Sequence, residues 1–330
     1  MMRIINPRLE CKKVPFPFFA NTRSTINSLT SIFDFIWPTA AAMWNLRWQV
    51  KGFLEICPNT DELTLAGRFV AGSGVNGTNL RRTCIEQTWV QQQERFAELL
   101  LTSLFALYES WCERSVEMLH CTSSEAAKRL QFPTGQDPTG KNTKGVGEVL
   151  DRLAASDSQM MIQLIYPKLV SHPKFSLPYL DKYLVCYRYF KEVRNCLIHK
   201  GGIADQKCVD AYSEFAKIPN AAAIGLKEFP HHSAAQLDQP ITVSLRGVVG
   251  FSDILLRLII TLDAVFAKHH QAEKLVLEKW KESHFERYVL PANPTARAAR
   301  LQQLIGKLDW KATRDTQALE SLLKKHSLCR

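Results

Sequence analysis

Arg194-Asn195-Cys196-Leu197-Ile198-His199, running into Lys200-Gly201-Gly202, closes the stretch whose reading decides the fold. Ahead of it, Leu180, Leu184, Tyr187, Phe190 and Leu197 recur at helical spacing between Tyr179 and Ile198, so one face of a helix should be buried. Pro178 suits a first helical position. Gly201 and Gly202 suit a stop, because glycine takes the left-handed conformation that closes a helix. His199 and Lys200 then fall in the last turn, where the helix carbonyls favour a cation.

On an ideal helix Asn195 and His199 share a face, while Arg194 lies roughly 140° from His199 at about 100° per residue. The long arginine side chain, fraying at the glycines, or a second copy of the helix in a dimer would bring them together. Such a set suits cleavage of an anionic phosphodiester. Arg194 would grip the phosphate in a bidentate manner. His199 would move protons, and Asn195 would orient one of them or bind substrate.

The same residues resemble the Arg-x(4–6)-His signature of the HEPN family (higher eukaryotes and prokaryotes nucleotide-binding domains). The flanks resemble it too: Glu192-Val193-Arg194-Asn195 through the glycine turn to Asp205, Ala106-Leu107-Tyr108-Glu109-Ser110-Trp111 upstream, and Ile241-Thr242-Val243-Ser244-Leu245 before an apolar helix downstream. The likeness covers residues 91–270. It implies an all-α, HEPN-like helical bundle and a metal-independent endoribonuclease whose site forms where two copies of the motif meet in a homodimer. Arg194, Asn195 and His199 match the family's catalytic positions. The family variant with Tyr two residues after the His is absent, since Gly201 stands there, which departs from the nucleotidyltransferase-paired toxin type. The bland alternative is that Arg194 and His199 are a surface ion-pair partner and a helix cap.

Other features bound these expectations. The formal charge of +10 and pI of about 9.2 suit phosphate-bearing partners, RNA among them. Nine cysteines without a CxxC pair read as reduced thiols of a cytoplasmic protein. Adjacent His231 and His232 point different ways on any regular element, which disfavours a metal pair, and no cofactor motif appears. Gly72-x-Gly74-x-x-Gly77 imitates a dinucleotide fingerprint, but a helical pattern follows where a βαβ unit needs a second strand, so it reads as a loop. The most apolar run, Val248 to Phe266, contains Asp253, Arg257 and Asp263, so no membrane span is expected.

Along the chain, residues 1–38 read as irregular, with Pro7, Pro15, Pro17 and Pro38 among aromatics such as Phe16, Phe18 and Phe19. Residues 39–57 read as a helix that buries Trp44 and Trp48. A long helix or kinked pair spans 85–121. Glu109 flanks its apolar face and, with Lys200, is a candidate substrate contact. A loop or hairpin with Lys141 and Lys144 spans 122–147, and Ser123 would cap a short helix there. Helices follow at 148–170, 178–200, 205–217 and 247–269, with an extended piece at 241–245. The tail holds Trp280, Phe285, Leu301, Leu308, Trp310 and a basic set, Arg297, Arg300, Lys307, Lys311 and Arg314. The expected organisation is an N-terminal extension (1–90), the HEPN-like domain (91–270) and a C-terminal basic helical extension (271–330). The expected function is an RNA-cleaving toxin or phage-defence effector held by an antitoxin or regulatory partner. The alternatives are a non-catalytic HEPN-like module that binds nucleotide or RNA or scaffolds a dimer, and a purely structural helical protein.

Overall fold

A computed structural model describes residues 17–120, 124–282, 289–307 and 316–329. Pro7, Pro15, Phe16, Ser123, Phe285, Leu308, Trp310, Lys311 and Arg314, and the side chain of Lys307, lie outside the described residues. The chain is mostly helical: α1 (Ala20–Ile56), α2 (Glu62–Phe69), α3 (Trp89–Met118), α4 (Ser124–Arg129), α5 (Gly145–Ala154), α6 (Gln159–Leu164), α7 (Tyr166–Leu169), α8 (Leu180–His199), α9 (Gln206–Ala216), α10 (Leu245–Phe266), α11 (His270–Glu282), α12 (Pro294–Lys307) and α13 (Thr316–Lys325). Strands β1 (Gly135–Gln136) and β2 (Asn142–Lys144) make one antiparallel hairpin inside the stretch read as a loop or hairpin. No helix among the described residues is long and apolar enough to cross a membrane.

Contacts group the chain into two compact units. Among the described residues, one joins those between Tyr108 and Val185 to those up to Thr25 and from Ile254 onward; the other joins Ile26–Leu107 to Cys186–Asp253.

The first unit is built around Trp111, fully buried, whose ring stacks on Phe266 at 6.0 Å. Its indole N–H donates to the Thr22 hydroxyl at 2.9 Å, which satisfies the one polar atom of a buried Trp. The same unit shows why residues before Pro38 are helical after all. The backbone N–H groups of Phe18 and Phe19 donate to the Asp263 carboxylate at 2.6 and 3.1 Å. A buried side chain remote in sequence therefore caps the start of α1, satisfying donors that a helix leaves open. The helix then runs on through Pro38. The expected single helix at 148–170 is broken into α5, α6 and α7. Ser158 ends the break by accepting from the Met161 N–H at 3.3 Å as an N-cap.

The second unit packs Phe105, Tyr187, Phe190 and Phe251 together, with Phe190 stacked on Phe251 at 4.5 Å. A satellite cluster of Val50, Leu54, Leu65, Leu80 and Cys84 ties α1 to α2 and to a π-turn at Arg82–Glu86. Gly72, Gly74 and Gly77 all have positive φ in an exposed loop between α2 and that turn. The burial of Trp44 and Trp48 expected above is overturned: they are 40% and 55% exposed. The core face of α1 is the one carrying Val50 and Leu54, and these tryptophans lie off it. Residues 241–245 form no strand; Ile203 and Pro240 make an isolated bridge beside them.

Candidate functional site

The part of α8 in the second unit buries Tyr187, Tyr189, Phe190, Val193 and Cys196. That anchored face carries the remaining side chains outward. Lys200 and Gly202 both donate their N–H groups to the Cys196 carbonyl, at 2.9 and 3.0 Å, so the helix end is closed by hydrogen bonds. Gly201 (φ 62°) and Gly202 (φ 81°) supply the left-handed backbone this requires. The turn is held from the other side, where Ile241 donates to the Gly202 carbonyl at 2.8 Å and Ala204 to that of Gln239 at 3.0 Å.

On this end the structure joins two of the expected site residues directly. Arg194 Nη1 donates to Asn195 Oδ1 at 3.2 Å, and Asn195 Nδ2 donates to Glu192 Oε2 at 3.1 Å. Glu192, only 8% exposed, also pairs with Arg188 one turn earlier. The chain Arg188–Glu192–Asn195–Arg194 therefore fixes the guanidinium from behind. The Nε atom of Arg194 is buried and has no hydrogen-bond partner. An unsatisfied donor on a charged group costs roughly 1–3 kcal/mol or more, and because this edge is closed to solvent an outside acceptor reaches it only when the side chain moves.

His199 and Lys200 are exposed at the capped end, and the His199 ring makes no hydrogen bond or ion pair among the described residues. Glu109 is half-buried on α3 and belongs to the other unit. Tyr183, Tyr187 and Tyr189 on α8 are core, and Tyr179, just before it, is half-buried.

Three features escape the motif reading. Glu192 orders the pair, and its signal was present in the i, i+4 spacing from Arg188 and the i, i+3 spacing to Asn195. Asp205 caps α9 by accepting from the Cys208 N–H at 3.0 Å, and the Cys196 thiol lies 3.8 Å from the same carboxylate oxygen. Finally, a cleft of about 460 Å³ is lined by Tyr212, Phe215, Phe229, His231, His232 and Arg246, among others. There the Tyr189 hydroxyl meets His232 Nδ1. Burial pushes the His232 imidazole down to about 4, so it is neutral near pH 7. Arg246 pairs with Glu228 at 2.5 Å on the same cleft.

Comparison of the chain with protein-family models, with curated proteins and with solved structures finds no match.

Proposed function

We propose that the chain is a metal-independent endoribonuclease of HEPN type, acting as a homodimer in a toxin or phage-defence setting. The observation that carries this reading is the Arg194 guanidinium, positioned by Asn195 and, through it, by Glu192, on the same helix end as an exposed His199.

In the proposed mechanism Arg194 binds the scissile phosphate and stabilises the charge that develops on it. His199 takes the proton from the adjacent 2′-hydroxyl or delivers one to the leaving 5′-oxygen. The attack forms a 2′,3′-cyclic phosphate and releases a 5′-hydroxyl, so atoms and charge balance without a co-reactant. Asn195 keeps Arg194 in register, and Lys200 adds a phosphate contact at the rim. On α8 alone Arg194 and His199 point apart, and the approach of a second copy of the motif would complete the site.

A second reading is a non-catalytic RNA- or nucleotide-binding module. The formal charge of +10 suits a phosphate-bearing ligand without requiring Arg194 and His199, which point apart on one helix, to act together. The test is RNA cleavage in EDTA by wild type, Arg194→Ala, His199→Ala and Glu109→Ala. Cyclic phosphate ends from wild type, lost in the first two variants, support the nuclease. RNA binding without cleavage in every protein moves the module ahead, and equal cleavage by every protein overturns the assignment.

A further inference from the structure

The solvent side of α1 carries a seam of tryptophans. Trp37, Ala41, Trp44 and Trp48 are spaced by four, three and four residues, the 3.5-residue repeat of a helix that packs lengthwise on another. Trp37 is 43%, Trp44 40% and Trp48 55% exposed, and Ala41 is exposed as well. A row of half-open indoles is not the ordinary scatter of surface apolar residues, and it marks an interaction surface. The rings are pre-ordered by their neighbours. Phe33 stacks on Trp37 at 5.8 Å, Trp44 meets Trp48 at 5.6 Å and Trp89 at 5.1 Å, and the Lys51 ammonium lies 5.4 Å over Trp48.

The seam is bracketed by opposite charges that continue the same repeat: Asp34 before Trp37 and Lys51 after Trp48, both exposed. Read backwards, its order is complementary: opposite charge mirrors charge, tryptophan mirrors tryptophan, and a small residue mirrors a large one. A point between Ala42 and Met43 is equidistant from Asp34 and Lys51, from Trp37 and Trp48, and from Ala41 and Trp44. We propose that α1 packs antiparallel against α1 of a second copy, about a two-fold axis through that point. Each layer then occurs twice, as two-fold symmetry demands. Asp34 faces Lys51 of the second copy, Trp37 packs on Trp48, and the small Ala41 makes room for Trp44.

Other occupants fit the seam less well. A parallel alignment would set Asp34 on Asp34 and Trp44 on Trp44. A lipid surface or a nucleic-acid strand would favour a row of cations, and the seam offers Lys51 alone, countered by Asp34 and, one repeat on, by Glu55. This inference rests on the homodimer of the reading above but not on its chemistry: the charge reversals report mass, whereas the Arg194 and His199 variants report cleavage, so either can fail alone.

The experiment is sedimentation equilibrium of the full chain as wild type, Asp34→Lys, Lys51→Asp, the Asp34→Lys/Lys51→Asp double variant, and Ala41→Arg. The wild type is expected to dimerise. Each single reversal creates two like-charge contacts and should raise Kd by about tenfold or more. The double variant should return to within about threefold of wild type. Ala41→Arg should be monomeric; if it fails to fold, the charge reversals on exposed positions still decide. A wild type that stays monomeric across the micromolar range overturns the proposal. So does a dimer that ignores the reversals, or reversals that the double variant does not repair. Vesicle or single-strand RNA binding lost on Trp44→Ala/Trp48→Ala, with wild type monomeric, would assign the seam to that occupant instead.

Discussion

Asn195 and Glu192, one turn apart on α8, are joined by a 3.1 Å hydrogen bond, and through it the Arg194 guanidinium is tied to a nearly buried carboxylate. Removing the middle link should loosen Arg194 without deleting it. Under the proposed ribonuclease reading, Asn195→Ala is expected to lower kcat for RNA cleavage by about tenfold or more while KM changes little, the pattern of lost alignment. Glu192→Gln keeps an acceptor for Asn195 but removes the charge facing Arg188. It should cost about 1–3 kcal/mol of stability and less activity than Asn195→Ala. Steady-state kinetics beside urea denaturation separates the two; an Asn195→Ala enzyme with unchanged kcat would refute the positioning role.

Three glycines should respond to alanine with different signs. At Gly201 nothing lies within 4 Å of a built Cβ, so Ala meets only the left-handed backbone (φ +62°) and should cost about 1–2 kcal/mol, with Asn tolerated better. At Gly247 the Cβ would sit 2.1 Å from the His231 carbonyl oxygen. That backbone must move, so the loss should reach about 3 kcal/mol and disturb the His232 cleft. Gly52, inside α1 with open space around its Cβ and no positive φ, should gain about 0.5–1 kcal/mol as Ala. Urea midpoints rank the three, and a stabilised Gly247→Ala protein would contradict the packing described.

Much of this was legible from periodicity. The motif helix, expected at 178–200, occupies Leu180–His199, and the glycine-rich stretch 122–147 contains the β1–β2 hairpin. What periodicity could not show depends on partners remote in sequence. The start of α1 is rich in Ser, Thr and Asn, weak helix formers, and its cap is Asp263, 245 residues on from Phe18. Trp44 and Trp48 read as core because tryptophan usually is, yet burial depends on what covers a face. The same limit holds at the site. Arg194, Asn195 and His199 could be named from the motif, whereas Glu192, an ordinary helix-surface residue by type, becomes significant only because its neighbours bury it.

The thiols should react in an order set by burial. Cys57 is exposed, whereas Cys186, Cys196 and Cys208 are buried. Burial pushes the Cys208 thiol up to about 12, with Cys196 beside it adding to the shift, and burial raises Cys196 and Cys186 as well. Thiols held protonated react slowly with alkylating agents. Iodoacetamide at pH 8 followed by peptide mass spectrometry should label Cys57 before Cys186, Cys196 and Cys208, which should be spared until denaturant is added. Early labelling of Cys208 would show that the α8–α9 contact opens readily.

Two buried carboxylates of the first unit should give opposite pH dependences. Burial pushes Asp263 up to about 6, against the lowering by Thr22 and by the Phe18 and Phe19 N–H groups. Its pKa is thus raised above the unfolded value of 3.8. The folded chain holds a proton there that the unfolded chain releases, and the contribution to stability grows as pH falls from above 6 toward 4. Glu273 is also buried, which alone would raise its pKa, but bonds from Ser158, His326 and Lys325 hold it down to about 2. Its contribution is present above 4.5 and is lost as pH falls through that range toward 2. Wild type should therefore gain stability from pH 7 to about 5 through Asp263 and lose it below about 4.5 through Glu273. Asp263→Asn should flatten the first limb, because the amide does not titrate, and should weaken the α1 cap by leaving one of the two N–H groups without its acceptor. Glu273→Gln should flatten the second limb and lower stability at pH 7. Guanidinium titrations of the three proteins at four pH values test both signs at once. A wild-type profile that Asp263→Asn leaves unchanged above pH 5 would mean that this carboxyl does not carry the buried charge that caps α1.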